Sequence, residues 1–276
     1  MTKFELNEEN FELAHIFECG QCFRWKKEKD GTFIGVIKDG VVSIKKEGLI
    51  FSIESNIEKE KIKDYLDLST DYTRIKRTLS KNDDNMKLAS EYGYGIRILN
   101  QDPWEMLISY IISAANNIPR ISKTIENICK VYGKKIEFKG STYYLFPTPQ
   151  ELSRASIQNL RDLNLGFRDK YVYGATQMVL KGELDLEKIK LLPYAEAKKE
   201  LIKVPGVGEK VADCILLFSM KKKEAFPVDT WIKKVMMELY VDTKDVKKIS
   251  SYAEAKFGKY AGIAQQYLFY WKRENA

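Results

Sequence analysis

A turn rich in glycine and proline precedes Lys210 in the segment Val204–Cys214, which reads VPGVGEKVADC. Gly206 and Gly208 allow the backbone to turn tightly and to expose main-chain N–H groups where the next helix begins. The positive end of the helix dipole adds to these donors, so a phosphate can bind there. The chemistry that this stretch favours is therefore the binding of an anion beside a lysine.

Two predicted helices, Ala195–Lys203 and Glu209–Met220, are joined by this turn. A helix-hairpin-helix of this kind holds a nucleic-acid backbone without reading its bases. The alternative of a P-loop is excluded, because that motif requires a glycine before the lysine and a serine or threonine after it. An ordinary glycine-bearing turn between helices remains an alternative for this stretch taken alone.

A second polar feature is Asp229, in the segment Phe226–Thr230 that ends an extended connection and opens a helix. Asp229 is expected at the N-cap, where it accepts hydrogen bonds from the first free N–H groups. A carboxylate held at a helix N-terminus stays ionised at neutral pH. Its negative charge is suited to face a cation that develops in a pocket.

The charge of the chain is concentrated in its C-terminal part. The net charge is +7; residues 1–100 carry 17 Lys and Arg against 18 Asp and Glu, and residues 101–276 carry 29 against 21. A basic region attached to a nearly neutral one suggests a polyanionic partner, although a solvated lysine-rich surface is the alternative.

Cysteine and histidine are too few for a metal centre to be expected. Cys19 and Cys22 have the spacing of half a zinc site, but His15 is the only histidine in the sequence. We therefore expect no metal and no cofactor. The sequence also shows no apolar run of about 20 residues and no signal peptide, so we expect a cytoplasmic protein without membrane contact, associated with the nucleoid if its source is prokaryotic.

The first 98 residues are predicted to form an α+β domain. Short β-rich runs alternate with Asp30-Gly31 and Asp39-Gly40, which are strong hairpin signals, so an antiparallel sheet is expected. The predicted strands are Cys22–Trp25, Thr32–Ile37, Val41–Ile44 and Leu49–Ile53. Two helices, Glu58–Leu68 and Thr73–Ser90, are expected to follow.

The remaining chain, residues 99–276, is predicted to be a mostly helical domain. Pro103 suits the first turn of a helix that Asp102 caps and that runs to about Asn116. A loop or small hairpin is expected over Phe138–Phe146. Further helices are expected after Thr148-Pro149, near Pro193, at Gly208, at Asp229 and near Ser250.

Two sets of segments resemble those of known proteins. Val204–Cys214 followed by Pro227–Asp229 resembles the helix-hairpin-helix (HhH-GPD) glycosylase superfamily. Further segments follow in order along the chain: Gly20–Trp25, Gln101–Pro103, Asn116–Ile121, Leu163–Arg168 and Ala264–Phe269. Together they resemble the 8-oxoguanine DNA glycosylase family of that superfamily.

The resemblance implies a bifunctional glycosylase and β-lyase for base excision repair, acting on double-stranded DNA that contains 8-oxoguanine. It implies that the neutral amine of Lys210 attacks the sugar C1′, displaces the oxidised base and leaves a Schiff base. Burial beside Val211 and Ile215 favours loss of the lysine proton. Asp229 is implied to stabilise the positively charged sugar and to assist proton transfer in the lyase step.

The resemblance also implies how the extruded base is bound. The carbonyl of Gly20 accepts the hydrogen that only the oxidised base carries on N7, and Gln265 binds the Watson–Crick edge. Phe269 stacks on the base, Cys214 packs against it and polarises the lysine amine, and Pro227 completes the substrate site. A purely structural core role is the alternative for Cys214.

For the duplex itself, the resemblance implies contacts from two groups of residues. Arg120, expected on the loop after the Asp102 helix, and Arg168 contact the orphaned cytosine. The further DNA-binding positions are Asn116, Asn117, Phe167, Gly206, Val207, Gly208 and Trp231.

Three positions depart from the family. Ala115 replaces an asparagine that fills the gap in the duplex, Phe167 replaces a tyrosine, and Trp231 replaces a phosphate-contacting histidine. We therefore expect a less strict preference for cytosine opposite the lesion. We also expect a monomer. The competing hypothesis is a non-catalytic DNA-binding module in which Lys210 and Asp229 are incidental.

Overall fold

The computed structural model describes residues 1–275, and its N-terminal part contains a five-stranded antiparallel sheet. The strands lie in the order β1-β5-β4-β3-β2. Their bounds are β1 (Thr2–Leu6), β2 (Trp25–Lys27), β3 (Phe33–Ile37), β4 (Gly40–Glu47) and β5 (Ile50–Ser55). The antiparallel meander is confirmed, with tight turns at both predicted Asp-Gly pairs.

The sheet differs from its prediction at two places. Strand β2 begins at Trp25 rather than at Cys22, because Cys22 is buried in the bend that leads into the sheet. Strand β1 was not predicted at all. It pairs with β5 from Thr2↔Ser55 to Leu6↔Phe51, so its partner lies about fifty residues away and no local turn signal marks it.

Helices make up most of the remaining chain, which confirms the predicted α+β class with a mostly helical C-terminal part. Their bounds are α1 (Leu13–Phe17), α2 (Lys59–Tyr65), α3 (Tyr72–Leu79), α4 (Asp84–Tyr92), α5 (Pro103–Ser113), α6 (Ile118–Tyr132), α7 (Pro149–Leu152), α8 (Ile157–Leu160), α9 (Asp169–Leu180), α10 (Leu186–Leu191), α11 (Tyr194–Ile202), α12 (Glu209–Ser219), α13 (Thr230–Leu239), α14 (Val246–Phe257) and α15 (Ala261–Glu274). Short 3-10 turns cover Gly166–Arg168 and Gly258–Tyr260. Strands β6 (Lys135–Phe138) and β7 (Ser141–Tyr144) form the small hairpin expected there.

Two helix predictions were inaccurate. The single helix expected over Thr73–Ser90 is divided into α3 and α4, because Asn82 adopts a left-handed φ of 59° and Asp83 caps a new helix through the Met86 amide. Helix α14 begins at Val246 rather than near Ser250, since Asp245 already caps it.

Two hydrophobic cores organise the molecule. One lies between the sheet and α1 and α2, with Ile16, Ile44 and Ile62 fully buried. The other runs through the helical part and also takes in α3 and α4, of which α4 packs against the C-terminal helix α15. The division at residue 98 stays a prediction. No helix within residues 1–275 is long and apolar enough to cross a membrane.

Glu105 in α5 is a buried carboxyl that couples stability to pH. Burial raises its pKa to about 7, although Arg24 opposes this from 3.6 Å away. Between the ordinary value of 4.5 and about 7, the unfolded chain releases a proton that the folded chain retains. The unfolding free energy should therefore fall with rising pH across this window, by at most about 3 kcal/mol from this group.

The expected result is that Glu105→Gln flattens this pH dependence. Urea unfolding at about pH 5 and about pH 8 measures it, and the exposed Glu91→Gln serves as the control. Parallel profiles for wild type and Glu105→Gln would contradict the assignment.

Candidate active site

The helix-hairpin-helix lies where it was predicted, between α11 and α12. Gly206 has a φ of 88°, and the N–H of Val207 donates to the carbonyl of Val204 at 3.0 Å. Gly208 is the N-cap of α12, and no side chain caps the free N–H groups of that helix. Exposed main-chain donors at a helix start are suited to a phosphate.

Gly206 is required for two separate reasons. A Cβ there would lie 2.7 Å from Cγ of Tyr171, and its positive φ is unfavourable for any residue with a side chain. Gly182 offers a matched control, because it also has a positive φ of 71° but has nothing within 4 Å of its Cβ position.

We expect Gly206→Ala to lower the unfolding free energy by about 1–3 kcal/mol, and Gly182→Ala by only about 1 kcal/mol. Denaturant unfolding measures both. Truncation of Tyr171 to alanine should recover the steric part of the Gly206→Ala loss. Equal losses at the two glycines would show that the contact with Tyr171 carries no cost.

Lys210 lies in the first turn of α12, half-buried, with its Nζ 5.7 Å from the ring centroid of Tyr110. Within the described residues it forms no salt bridge. Cys214 lies one turn further on the same face and is buried. Burial raises the pKa of the Cys214 thiol to about 11, although Lys210 opposes this, so the thiol is protonated at neutral pH. Cys214 can therefore act on Lys210 as a dipole but not as an anion.

Asp229 caps α13 as predicted: its Oδ1 accepts a hydrogen bond from the Ile232 N–H at 2.8 Å. Burial raises the pKa of Asp229, while the Ile232 amide and the charge of Lys210 oppose the rise. The carboxylate is thus held in place by the helix start, partly removed from water, and on the same pocket as Lys210.

One small pocket collects the residues predicted to act on the base. It is lined by Cys19, Gly20, Tyr110, Lys210, Cys214, Phe218, Pro227, Asp229, Gln265, Gln266 and Phe269. Gln265 is buried, and its Oε1 has no hydrogen-bond partner within the described chain. A buried, unpaired amide oxygen is costly unless a ligand completes it. One residue of the pocket lining therefore carries an unused hydrogen-bond acceptor.

The pocket is small and only partly enclosed in this structure. Its volume of about 50 Å³ holds a few water molecules and is too small for a purine. Phe269 is half-buried and, like Gly20, Tyr110, Lys210 and Asp229, lines both this pocket and the large cleft beside it. Binding of a purine requires side chains around the pocket to move.

The adjoining cleft has a volume of about 830 Å³ and is lined in part by the loop between α5 and α6. Asn116, Asn117 and Trp231 line it, and their contact with DNA stays a prediction. Ala115, also on this loop, has a left-handed φ of 49°, a conformation that asparagine adopts more readily than alanine. The loop therefore keeps the backbone form that suits an asparagine, without its side chain.

The predicted DNA-binding residues Phe167, Arg120 and Arg168 differ in exposure. Phe167 is 59% exposed, lies under the guanidinium of Arg168 and meets Tyr171 edge-on. Arg120 is exposed but lies in the first turn of α6, not on a loop, because Asn117 caps that helix. The expectation that Arg120 lies on a loop was therefore wrong, because α6 has already begun at Ile118.

Arg168 is buried, and its guanidinium donates to the carbonyls of Ala114, Ala115 and Leu165. It connects the Gly166–Arg168 turn to the cleft loop. Its direct contact with an orphaned base stays a prediction, since in this structure its donors are occupied by the protein.

Sequence reasoning missed several residues that line the pocket or the cleft. Tyr110 lies in α5, a helix that is buried along most of its length, so nothing in its pattern singles out Tyr110, and Phe218 belongs to no motif. Cys19 and Gln266 lie in segments that the sequence singled out, but neither was assigned to the base pocket. Arg273 lines the cleft, and its guanidinium lies 5.5 Å from the Phe269 ring centroid. The one available signal was the spacing of Arg273, one helical turn after Phe269.

Comparison with known protein families agrees with this geometry. Residues 3–107 match the model of the 8-oxoguanine DNA glycosylase N-terminal domain, and residues 108–259 match the HhH-GPD superfamily of base excision DNA repair proteins. The chain belongs to the 8-oxoguanine DNA glycosylase family. This membership confirms the resemblance seen in the sequence.

Relatives of this glycosylase family extend over nearly the whole chain. The crystal structure of the Clostridium acetobutylicum 8-oxoguanine glycosylase/lyase, in complex with DNA containing cytosine opposite 8-oxoguanine, is 47% identical with a TM-score of 0.94, covering 100% of this chain and 98% of that one. The Arabidopsis thaliana N-glycosylase/DNA lyase OGG1 is 29% identical, over 93% of this chain and 76% of that protein. A Methanothermobacter thermautotrophicus protein named "Probable N-glycosylase/DNA lyase" is 30% identical, over 94% and 93% respectively.

Within the described residues, no group of three or more His, Cys, Asp or Glu side chains could hold a metal ion. All four cysteines are free and buried.

Proposed function

We propose that this protein is a bifunctional DNA glycosylase and β-lyase that extrudes and excises 8-oxoguanine from duplex DNA and then nicks the strand, as a step of base excision repair. The observation that carries the proposal is the convergence of Lys210, Asp229 and the unpaired Gln265 on one pocket that adjoins a large cleft. The identity of the damaged base, 8-oxoguanine, is proposed from membership of the family.

The proposed reaction begins with the attack of the neutral Lys210 amine on C1′ of the extruded nucleotide. The glycosidic bond breaks, and the base leaves with the bonding electrons and takes up a proton. Loss of a proton from the nitrogen and opening of the sugar give a Schiff base. Removal of a C2′ proton then expels the 3′-phosphate, and water hydrolyses the Schiff base to restore the amine. The Asp229 carboxylate stabilises the positive charge that develops on the sugar.

The base is proposed to lie between Phe269 and Cys214, with Pro227 at the pocket wall. Its Watson–Crick edge satisfies Gln265, and its N7 hydrogen is donated to the Gly20 carbonyl. Gly20 has a φ of 87° and carries no side chain, which permits close approach of its backbone to a ligand.

The duplex is proposed to bind along the cleft. The hairpin turn of Gly206, Val207 and Gly208 contacts the DNA backbone, with the N–H groups of Gly206 and Gly208 as donors to a phosphate, because the Val207 N–H already donates to the Val204 carbonyl. Phe167 wedges into the strand. The opposite strand is contacted by Asn116, Asn117, Arg120, Arg168 and Trp231. We further propose a monomer that works where its substrate is, in the cytoplasm and at the nucleoid if the source is prokaryotic.

The test uses four duplexes that carry 8-oxoguanine opposite each of the four bases, and an undamaged duplex as control. Release of free 8-oxoguanine is measured by chromatography, and strand cleavage on denaturing gels. We expect both products from the lesion duplexes alone, with a cytosine preference weakened by Ala115. Binding without release of base would support a non-catalytic module, and a strong cytosine preference would contradict the expected relaxation.

A further inference from the structure

Side chains donate hydrogen bonds to the main-chain carbonyls of the residues around Gly20, but the carbonyl of Gly20 itself accepts none within the described chain. The carbonyl of Cys19 accepts from Gln266 Nε2 at 2.8 Å, and that of Glu18 accepts from Arg273 Nη2 at 2.8 Å. The carbonyl of Gln21 accepts from Gln101 Nε2 at 2.8 Å and from the Tyr110 hydroxyl at 3.3 Å. Within the described chain, no protein group donates to the Gly20 carbonyl.

Two of these donors, Gln266 and Arg273, belong to α15, the helix that also carries the base-binding residues. Gln266 and Arg273 are seven residues apart and therefore lie on one face, two turns from each other. Gln265 and Phe269 face the pocket from the adjacent side of the same helix. The turn and the helix are separated by about 250 positions in sequence, so these contacts are what joins them.

Gly20 also packs closely against two side chains of α15. The Cβ position of Gly20 lies 3.5 Å from Phe269 Cε1 and 3.5 Å from Arg273 Nη1, so the turn, the stacking ring and the guanidinium are packed against each other. Gln266 is buried, which means that its amide donor has no water to replace the Cys19 carbonyl. If the donor is lost, the turn is free to rotate relative to Phe269.

We propose that Gln266 and Arg273 are positioning residues for lesion recognition: they tie the Glu18–Gly20 turn to α15 and thereby aim the one free carbonyl, that of Gly20, at the base stacked on Phe269. This inference rests on the proposed function and adds to it two residues and a physical role. Both residues donate hydrogen bonds to this turn, so their loss should affect recognition of the base more than the chemistry at Lys210.

The test compares two activities of the same variants. Gln266→Met and Arg273→Met each remove a donor while keeping an unbranched side chain. Single-turnover release of 8-oxoguanine should fall about tenfold in each variant, the size expected for a lost hydrogen bond in a recognition step. Gln266 lines the base pocket and Arg273 lines the cleft, so cleavage of a duplex with a preformed abasic site, which needs Lys210 but no base, serves as the reference. Abasic-site cleavage should fall by a smaller factor than base release, so that the ratio of base release to abasic-site cleavage drops about fivefold or more.

Gln150→Met and Arg74→Met, the same changes at exposed positions, are the controls. Arg273 lies near the surface end of α15, so its variant carries the test alone if Gln266→Met does not fold. Parallel loss of both activities, or no loss of base release, would overturn the inference. If the wild type cleaves abasic sites but releases no 8-oxoguanine, the proposed function fails and this inference with it.

Discussion

Replacement of Lys210 by glutamine should abolish the chemistry while leaving the fold and DNA binding in place. Glutamine is similar in length, but its amide cannot form a Schiff base, so release of 8-oxoguanine and strand cleavage should both fall by about four orders of magnitude or more. Single-turnover assays at saturating enzyme measure this directly. Affinity for the lesion duplex should change little, because the hairpin amides and the cleft are untouched.

The matched control is Lys233→Gln, because Lys233 lines the same cleft but not the base pocket. This variant should weaken DNA binding modestly and keep the rate at saturation. Retention of strand cleavage in the Lys210 variant would mean that a different amine performs the lyase step.

Replacement of Asp229 by asparagine should give the second largest loss. Asparagine can still accept the Ile232 N–H at the start of α13, so the helix cap remains and stability should change by less than about 1 kcal/mol. The negative charge facing the sugar disappears, and the excision rate should fall by about 10²–10³-fold. Asp245→Asn makes the same change at the exposed cap of α14 and should be silent.

The pH profile separates the charge of Asp229 from its hydrogen bond. Because burial raises the pKa of Asp229, wild-type activity should begin to fall at a higher pH than it would with an aspartate of ordinary pKa. The asparagine variant should lack this acidic limb. An unchanged limb in Asp229→Asn would assign it to another group.

The parts of the fold that were predicted correctly are those with local signals. Gly206 and Gly208 marked the hairpin, Asp229 marked a helix start, and paired Asp-Gly turns marked the sheet, because each acts within a few residues of itself. Strand β1 has no such signal, since its pairing with β5 is a tertiary contact. The break between α3 and α4 depended on one left-handed residue, Asn82, which periodicity does not reveal.

In the site, too, the residues that the sequence pointed to are those that lie in recognisable segments. Lys210, Asp229 and Phe269 were found through segments that resemble a family, and the structure places all three on one pocket. Tyr110 and Gln266 were missed because their importance comes only from packing against residues far away in sequence. Arg168 shows the opposite problem. The sequence suggested a DNA contact for it, but in this structure its guanidinium donates hydrogen bonds to main-chain carbonyls.

The central claim, that the amine of residue 210 forms the covalent bond to DNA, is tested most directly by borohydride trapping followed by peptide mapping. The enzyme is incubated with a duplex that contains 8-oxoguanine, the intermediate is reduced, and the crosslinked peptide is identified by mass spectrometry. We predict a single adduct on the peptide that contains Lys210. An adduct on the N-terminal amine or on Lys233, or no adduct while the strand is nevertheless cut, would contradict it.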